Sequence, residues 1–596
     1  MWVREERAAL VGRVRLLSRL TIGLLVALAA AFWVVQVVRG STYRELADNN
    51  RLRRLTVRAP RGTIYDRAGR VLVENAPSYN LTLDRSETSD LAASLAFAAG
   101  ALDRPVGELE SALARAARLP HFAPVLLAEG LALDQVAHFE VARLEHPEFA
   151  VEVTHRRLYR LGAEGAHLFG YLGEITEEEL GREPGRYVAG DWIGRRGIER
   201  AFDAQLRGQD GERVVVVDSR GQLVDEYRRE LGRPGEPLTL TIDLELQRLA
   251  EELMAGQTGS VVALDPRNGE IRALVSHPSF DPNLFARRLR RDEWRELVED
   301  TRHPLQNRAI QSVYSPGSVF KPIVALAALA EGVVREDERI HCAGTATYYG
   351  QRRRCWHRGG HGWVDLRTAL KQSCDIYFYE LGDRLGAARL ARHARLFGLG
   401  RPTGLEIDGE KGGLVPDDEW SRRVRGHPWY PGETISVAIG QSALLTTPLQ
   451  VAVAYAALAN GGELVVPHLV RGERPPAPAK RLPIAPRHLA AVRDGLWQVV
   501  NAQGTGAAAF AAGLDIAGKT GTVQVVAQET WIDSATLPWE QRDHAWFASY
   551  APAGDPRLVV VVFVEHGGKG SRAAAPVAKA LHEKAHESEH GIVQPS

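Results

Sequence analysis

The sequence predicts an α+β protein. A five-stranded antiparallel sheet covered by helices follows an extended α+β pedestal and one N-terminal transmembrane helix. Three observations predict this. Leu20 to Val38 carries no charge over 19 residues. Two strand-like segments near residues 259–276 and three near 520–565 bracket a long helical middle. Finally, 596 residues at 45% hydrophobic, 25% charged and 7% aromatic are too many for one ordinary domain and too apolar for a disordered chain. Lys+Arg 74 against Asp+Glu 74 leaves no net charge, which argues against nucleic acid as a partner.

A helix over residues 20–38 rises ~1.5 Å per residue and crosses a ~30 Å hydrocarbon layer. The run exceeds the ~7–15 residues of a signal-peptide core, so an uncleaved anchor is expected, although Ala27, Ala29 and Ala31 leave a cleavage site open. Residues 1–19 then form a cytoplasmic tail, and the large body beyond residue 39 is expected on the far, periplasmic side of the inner membrane. Residues 56–80 read as short strands around the Arg67-Ala68-Gly69 turn, and 85–150 as helical. The Gly232-Arg233-Pro234-Gly235 break precedes a strand at 238–242. The pedestal is therefore assigned 39–250, the second domain 251–588 and a loose tail 589–596.

In the second domain, Gly259–Leu264 and Glu270–Ser276 form a hairpin around Pro266-Arg267-Asn268-Gly269. Thr520–Val526, His544–Tyr550 and Leu558–Glu565 supply three further strands, and a helix over Ala573–Ala585 closes the domain. Val319–Glu331 and Leu366–Leu381 read as helices between them.

Chemistry concentrates in three places. Ser318 and Lys321 stand three apart at the start of a helix, so their polar ends share a face. A serine becomes a nucleophile when a base takes its proton, and a lysine serves if burial and a second cation lower its pKa. Ser373-Cys374-Asp375 is the second element. Lys519-Thr520-Gly521-Thr522, flanked by Gly518, is the third, and its backbone can approach a substrate closely. Taken singly, each is more simply read as a solvated lysine or a serine in a turn, since S-x-x-K alone recurs by chance.

The ordered triple S-x-x-K, S-x-D, K-T-G resembles the signature of penicillin-binding proteins and serine β-lactamases. The segments APRGTIYDRAGRVL, AHLFGYLG, GRRGIERAFDAQLRGQDG, VVALDPRNGEIRALVSHPSFDPN, IGQSALLTTPLQ and HAWFASYAP extend the resemblance to class B penicillin-binding proteins over most of residues 56–565. Arg160 replaces the proline of the family's R-x-Y-P, and Asp375 replaces the asparagine of S-x-N, which is similar to the elongation subgroup, penicillin-binding protein 2. The resemblance implies a serine D,D-transpeptidase that cross-links peptidoglycan stem peptides during wall elongation and is acylated by β-lactams. Ser318 is then the nucleophile, Lys321 its base, Ser373 a proton relay and Asp375 an orienting group. The N–H groups of Ser318 and Thr522 form an oxyanion hole, and Lys519, Thr520 and Thr522 bind the terminal carboxylate. A glycan polymerase of the SEDS family is the implied partner through anchor and pedestal. A septal transpeptidase, a D,D-carboxypeptidase or a β-lactam sensor stay open as alternatives.

Cys342, Cys355 and Cys374 are the three cysteines. With His361 they space as Cys, twelve residues, Cys, five residues, His, twelve residues, Cys. Three thiolates and an imidazole are a complete tetrahedral zinc set with no open position, hence structural. A disulfide with one free thiol, or three buried thiols, are the alternatives, and His341 and His357 are rival imidazoles. Elongation-type relatives hold zinc with two Asp, a His and a Cys, and the resemblance places cysteines where those relatives have aspartates. No organic cofactor is expected.

Overall fold

The computed structural model describes the chain apart from residues 1, 42–51, 86, 119–123, 183–185, 189, 219–222, 473–478, 527–533 and 591–596. It divides into two units: residues 1–60, 77–155 and 208–234 in one, and 61–76, 156–207 and 235–596 in the other.

The first unit begins with one helix, Trp2–Trp33, continued by a π-helical turn over Val34–Val38. Val11–Val38, 28 residues, contains an 18-residue window of mean hydropathy 2.3, none of it buried, so this helix is long and apolar enough to cross a membrane. It starts well before the expected Leu20 because Arg13, Arg15 and Arg19 are good helix formers and do not interrupt it. In the region expected to be helical, Leu91–Leu102, Val106–Arg115 and Leu133–Ala142 are helices, but Val125–Ala128 is a strand, and the strand Phe149–Tyr159 begins at the region's end. Both carry β-branched or aromatic residues that local Ala/Leu/Glu composition masked. Asp90 caps the first helix by accepting from Ala92 N and Ala93 N. A core of Leu81, Leu83, Leu95, Leu109, Val125 and Phe139 closes this part.

The second unit carries the five-stranded sheet. Its strands are β1 Gly259–Leu264, β2 Ile271–His277, β3 Ala517–Val523, β4 His544–Ala551 and β5 Leu558–Val564. They are ordered β2-β1-β5-β4-β3, all antiparallel, so β3 is an edge. Alternate residues serve opposite faces. Val262, Leu264, Val559, Val561 and Phe563 pack with helices Lys321–Ala330 and Pro448–Ala459. Val261, Ala263, Val560 and Val562 pack with Leu244–Met254 and the C-terminal helix. Because both faces are covered, β5 is one apolar run, Leu-Val-Val-Val-Val-Phe-Val, buried throughout.

Three boundaries differ from expectation. Strand β3 starts at Ala517 and ends at Val523, so Lys519 lies inside it. Its two glycines lack β propensity, and pairing with β4 holds it in place. The segment expected as one helix over Leu366–Leu381 is two, Leu366–Lys371 and Asp375–Leu396. They are broken at Ser373, whose φ of 53° is left-handed. The final helix runs Ala575–His590, so residues 589 and 590 belong to it and not to a tail, while 591–596 lie outside the described residues.

In the same unit, Arg61 donates from Nη2 to Glu199 Oε2 (2.8 Å) and Asp203 Oδ1 (2.9 Å). Arg157 Nε donates to Glu199 Oε1 (2.6 Å), and Glu199 is fully buried. Arg61 lies in the segment beginning at Ala59, Glu199 and Asp203 in the segment beginning at Gly194, and Arg157 in the Arg157-Leu158-Tyr159-Arg160 stretch.

Candidate active site

Ser318 sits in a 3-10 turn, Gly317–Phe320, and Lys321 opens the α-helix Lys321–Ala330. The expected helix start at Val319 is thus a tighter turn. Pro322 explains it: proline fits the first helical turn and has no N–H to lose there. Gly317 has φ 57°, and a Cβ there would lie 2.8 Å from the Val523 side chain. A Cβ on Gly521 would lie 2.9 Å from Trp546 Cβ, 3.1 Å from Val319 Cγ1 and 3.2 Å from Pro316 O. Bare backbone on both sides therefore lets the serine turn rest directly on strand β3. Two further bonds pin the turn: Trp546 Nε1 donates to Ser315 O (3.1 Å) and Tyr455 OH donates to Val319 O (2.9 Å).

Lys321 is fully buried while Ser318 stays partly exposed. Lys321 Nζ donates to Ser373 O (2.8 Å), Ser373 Oγ (3.3 Å) and Asp375 Oδ1 (2.7 Å). The left-handed Ser373 is what turns its carbonyl and hydroxyl toward one ammonium. Asp375 Oδ2 accepts from Trp356 N (2.9 Å). Burial pushes the Asp375 carboxyl up from the usual aspartate range, against the pull of Lys321. Lys519 is also fully buried, its Nζ donating to Thr520 O (3.1 Å). Burial and the Lys321 ammonium push it well below the ordinary lysine range, with Asp375 opposing. Thr520 and Thr505 share a hydrogen bond of 2.7 Å between hydroxyls.

The structure therefore brings Lys321, Ser373 and Asp375 together by direct bonds. It places Lys519 within their field and seats Gly521 and Thr522 against the Ser318 turn. Trp356, Tyr455, Thr505 and Trp546 complete the site without having been singled out. Tyr455 and Thr505 carry no pattern of their own, whereas Trp546 lies in HAWFASYAP, a segment whose family likeness could have flagged it.

The cysteine cluster adjoins this site. Cys342 Sγ lies 3.6 Å and Cys355 Sγ 3.5 Å from His361 Nδ1, and the four ligand atoms, Cys374 Sγ included, fall within 4.8 Å of one another. Around a tetrahedral zinc with Zn–S of about 2.3 Å and Zn–N of about 2.05 Å, a sulfur and a nitrogen lie about 3.6 Å apart. The residues fit the ion. The three cysteines are free, so the disulfide alternative is not what the fold builds. Hydrogen bonds from Cys374 push Cys342 and Cys355 below the ordinary thiol range, while its bonds to them push Cys374 up. Holding all three as thiolates at once would take a cation. His357 bonds Gly360 O and His341 is exposed against Trp363, so neither rival enters the cluster. Asp375 N donates to Cys355 Sγ (3.4 Å), joining the cluster to the Lys321 network.

The chain belongs to the penicillin-binding proteins: residues 259–583 match the penicillin-binding protein transpeptidase domain, and residues 56–240 the penicillin-binding protein dimerisation domain. Among individual relatives, it is 36% identical to the peptidoglycan D,D-transpeptidase MrdA of Haemophilus influenzae, over 91% of this chain and 87% of that one. It is 33% identical to MrdA of Escherichia coli K12, over 91% and 89%. Among solved structures it resembles the Helicobacter pylori penicillin-binding protein PBP2 in complex with MreC, with TM-score 0.81, 25% identity and coverage of 90% and 100%. It also resembles a peptidoglycan synthase complex described as coordinating polymerization and crosslinking, with TM-score 0.72, 33% identity and coverage of 98% and 99%.

Proposed function

We propose that this protein is a peptidoglycan D,D-transpeptidase of the elongation type, working through a serine acyl-enzyme. The observation that carries the reading is the Lys321 ammonium bonded at once to Ser373 and Asp375, one helical turn from Ser318 and beside Lys519. Lys321 Nζ passes a proton to Asp375 Oδ1, 2.7 Å away, and the free amine takes the proton of Ser318 Oγ as that oxygen attacks the carbonyl of the penultimate D-Ala of a stem peptide. The N–H groups of Ser318 and Thr522 hold the oxyanion, pre-aimed because the turn and strand β3 are in contact. Ser373 returns the proton to the amine of the departing D-Ala. The amine of a second stem then takes the acyl group, loses its proton by the same route and releases Ser318. Lys519, Thr520 and Thr522 receive the terminal carboxylate, and β-lactams acylate the same serine.

The apolar helix at the N-terminus supports a single-pass anchor in the inner membrane, with the enzyme body on the periplasmic side. The pedestal, assigned to 39–250, and that anchor form the docking surface for a SEDS-family glycan polymerase; the synthase complex among the structural relatives supports a partner of that kind. The MrdA relatives and Asp375 support elongation over septation. Cys342, Cys355, His361 and Cys374 would hold a structural zinc, which supplies charge neutralisation to three thiolates and takes no part in the reaction. Its effect on catalysis runs through Cys374, next to Ser373, and through the Asp375 N–H bond to Cys355.

The test is cross-linking by the full-length protein on polymerised peptidoglycan. Wild type yields cross-linked dimers that penicillin abolishes, and Ser318→Ala yields none. Cross-links persisting in Ser318→Ala would overturn the reading.

A further inference from the structure

At the end of the sheet where β4 begins and β5 finishes lies a cleft of about 260 Å³, lined among others by Trp539, Arg542, Glu565, His566, Lys569 and Arg572. Three cations line it against a single acid. Among the described residues, Arg542, Lys569 and Arg572 have no carboxylate partner; Arg542 Nε donates only to Leu537 O (3.0 Å). The acid in the cleft, Glu565, is already engaged by Arg308 Nε (3.0 Å) and by Tyr314 OH. Other arginines of the unit do find carboxylates, among them Arg367 with Glu336 and Asp494, Arg384 with Glu338 and Glu380, and Arg425 with Glu433. Three cations facing one cavity repel one another, and an anion entering it relieves that repulsion. His566 is held by its Nδ1 bond to Arg542 O and packs at a tilt against Trp539 with centroids 4.6 Å apart, giving the cleft a wall.

The cleft adjoins the catalytic strand. Gly570, the residue after Lys569, packs so closely that a Cβ on it would lie 2.5 Å from Gly521 O and 2.2 Å from Trp546 O. The loop that carries Lys569 therefore rests on the residue preceding Thr522.

We propose that this cleft is a carboxylate-binding exosite for the peptide substrate, taking an acidic group remote from the bond that Ser318 cleaves. The proposal rests on the transpeptidase reading and adds a second anchoring point to Lys519. Two arginine forks suit carboxylates in particular, since a planar guanidinium pairs both oxygens at once. The carboxylate comes either from the donor stem or from the acceptor stem.

The experiment uses the full-length protein in detergent, wild type against the triple variant Arg542→Ala/Lys569→Ala/Arg572→Ala. Substrates are a synthetic stem pentapeptide and the same peptide with its non-terminal carboxylates amidated. D-Ala release is read with water as acceptor and with an added stem-peptide amine. Benzylpenicillin acylation of Ser318 in the same preparations reports that the fold survives. In the triple variant, KM for the acidic peptide is expected to rise about five- to tenfold, as three partly exposed charge contacts are lost. The preference of wild type for acidic over amidated peptide is expected to disappear, and kcat to stay within about twofold. An effect seen with water identifies the donor's carboxylate, and one confined to the acceptor concentration identifies the acceptor's. The charge-conserving variant Arg542→Lys/Arg572→Lys retains part of the preference. Equal preference for acidic peptide in wild type and triple variant, in both arms, overturns the exosite. Failure of the transpeptidase reading looks different: wild type then releases no D-Ala from either peptide, and peptide binding to Ser318→Ala, followed by fluorescence anisotropy, still tests the cleft alone.

Discussion

Gly521→Ala adds one methyl group where the strand bearing Lys519 meets the turn bearing Ser318. The new Cβ would stand 2.9 Å from Trp546 Cβ, 3.1 Å from Val319 Cγ1 and 3.2 Å from Pro316 O. Ordinary contacts for such atoms are ~3.5–4.0 Å, so turn and strand must separate by about half an ångström. Trp546 is fully buried and its indole is bonded to Ser315 O, so it yields little. Overpacking of this kind costs about 1–3 kcal/mol, a fall in Tm of about 2–6 °C for a domain of this size. Catalysis suffers separately. The N–H of Thr522, the next residue, moves with the strand, and a ~1 Å misplacement costs ~100-fold in rate. Half that displacement predicts about a tenfold loss in benzylpenicillin acylation, read by stopped-flow fluorescence. Gly100→Ala is the control: it lies in the helix Leu91–Leu102, meets nothing within 4 Å, and is expected to stabilise by ~0.5–1 kcal/mol with acylation unchanged. Wild-type acylation and Tm in Gly521→Ala would refute the packing of strand on turn.

Cys355→Ser is expected to lower zinc content, Tm and penicillin acylation together, measured by metal analysis of purified protein. Zinc-free wild-type protein with a Cys–Cys bridge in its peptide map contradicts that. Burial pushes His167 down to about 4 and His582 down to about 3, whereas both titrate near 6.5 when unfolded. Between those values the unfolded chain binds the extra protons, so stability is full above pH ~6.5 and falls as pH drops. At ~1.4 kcal/mol per pH unit per group, about 4 kcal/mol is lost by pH 5, visible as a lower urea midpoint. A midpoint unchanged between pH 7 and 5 would show that these rings are not buried neutral. Glu199→Gln leaves Arg61 and Arg157 buried without their shared carboxylate and is expected to cost about 3–5 kcal/mol, or to prevent soluble expression; a loss under ~0.5 kcal/mol refutes the buried cluster.

Much of the fold could be read from the chain because two-sided burial writes itself as composition. The run at 558–564 is apolar without alternation, and the hairpin at 259–277 is marked by Asn268-Gly269. The anchor is equally plain in a stretch without charge. What could not be read depends on contacts between distant residues. Ser373 breaks a helix because its carbonyl and hydroxyl meet Lys321, 52 residues earlier, and nothing local to Lys371-Gln372-Ser373 announces that. Strand β3 begins with Ala517-Gly518, poor strand formers that pairing with Tyr550 and Ser549 holds in register. Of the site, the reactive side chains were legible as three short motifs. Tyr455 and Thr505 were not, since Tyr455 acts through its hydroxyl bond to Val319 O and Thr505 through its hydroxyl bond to Thr520, and neither contact leaves a local pattern.

Peptide mapping by mass spectrometry after brief exposure to benzylpenicillin tests the central claim most directly. The account predicts one adduct, on the peptide that carries Ser318, absent from Ser318→Ala and retained by Ser373→Ala at a reduced rate. An adduct on any other residue, or none in well-folded protein, would contradict it.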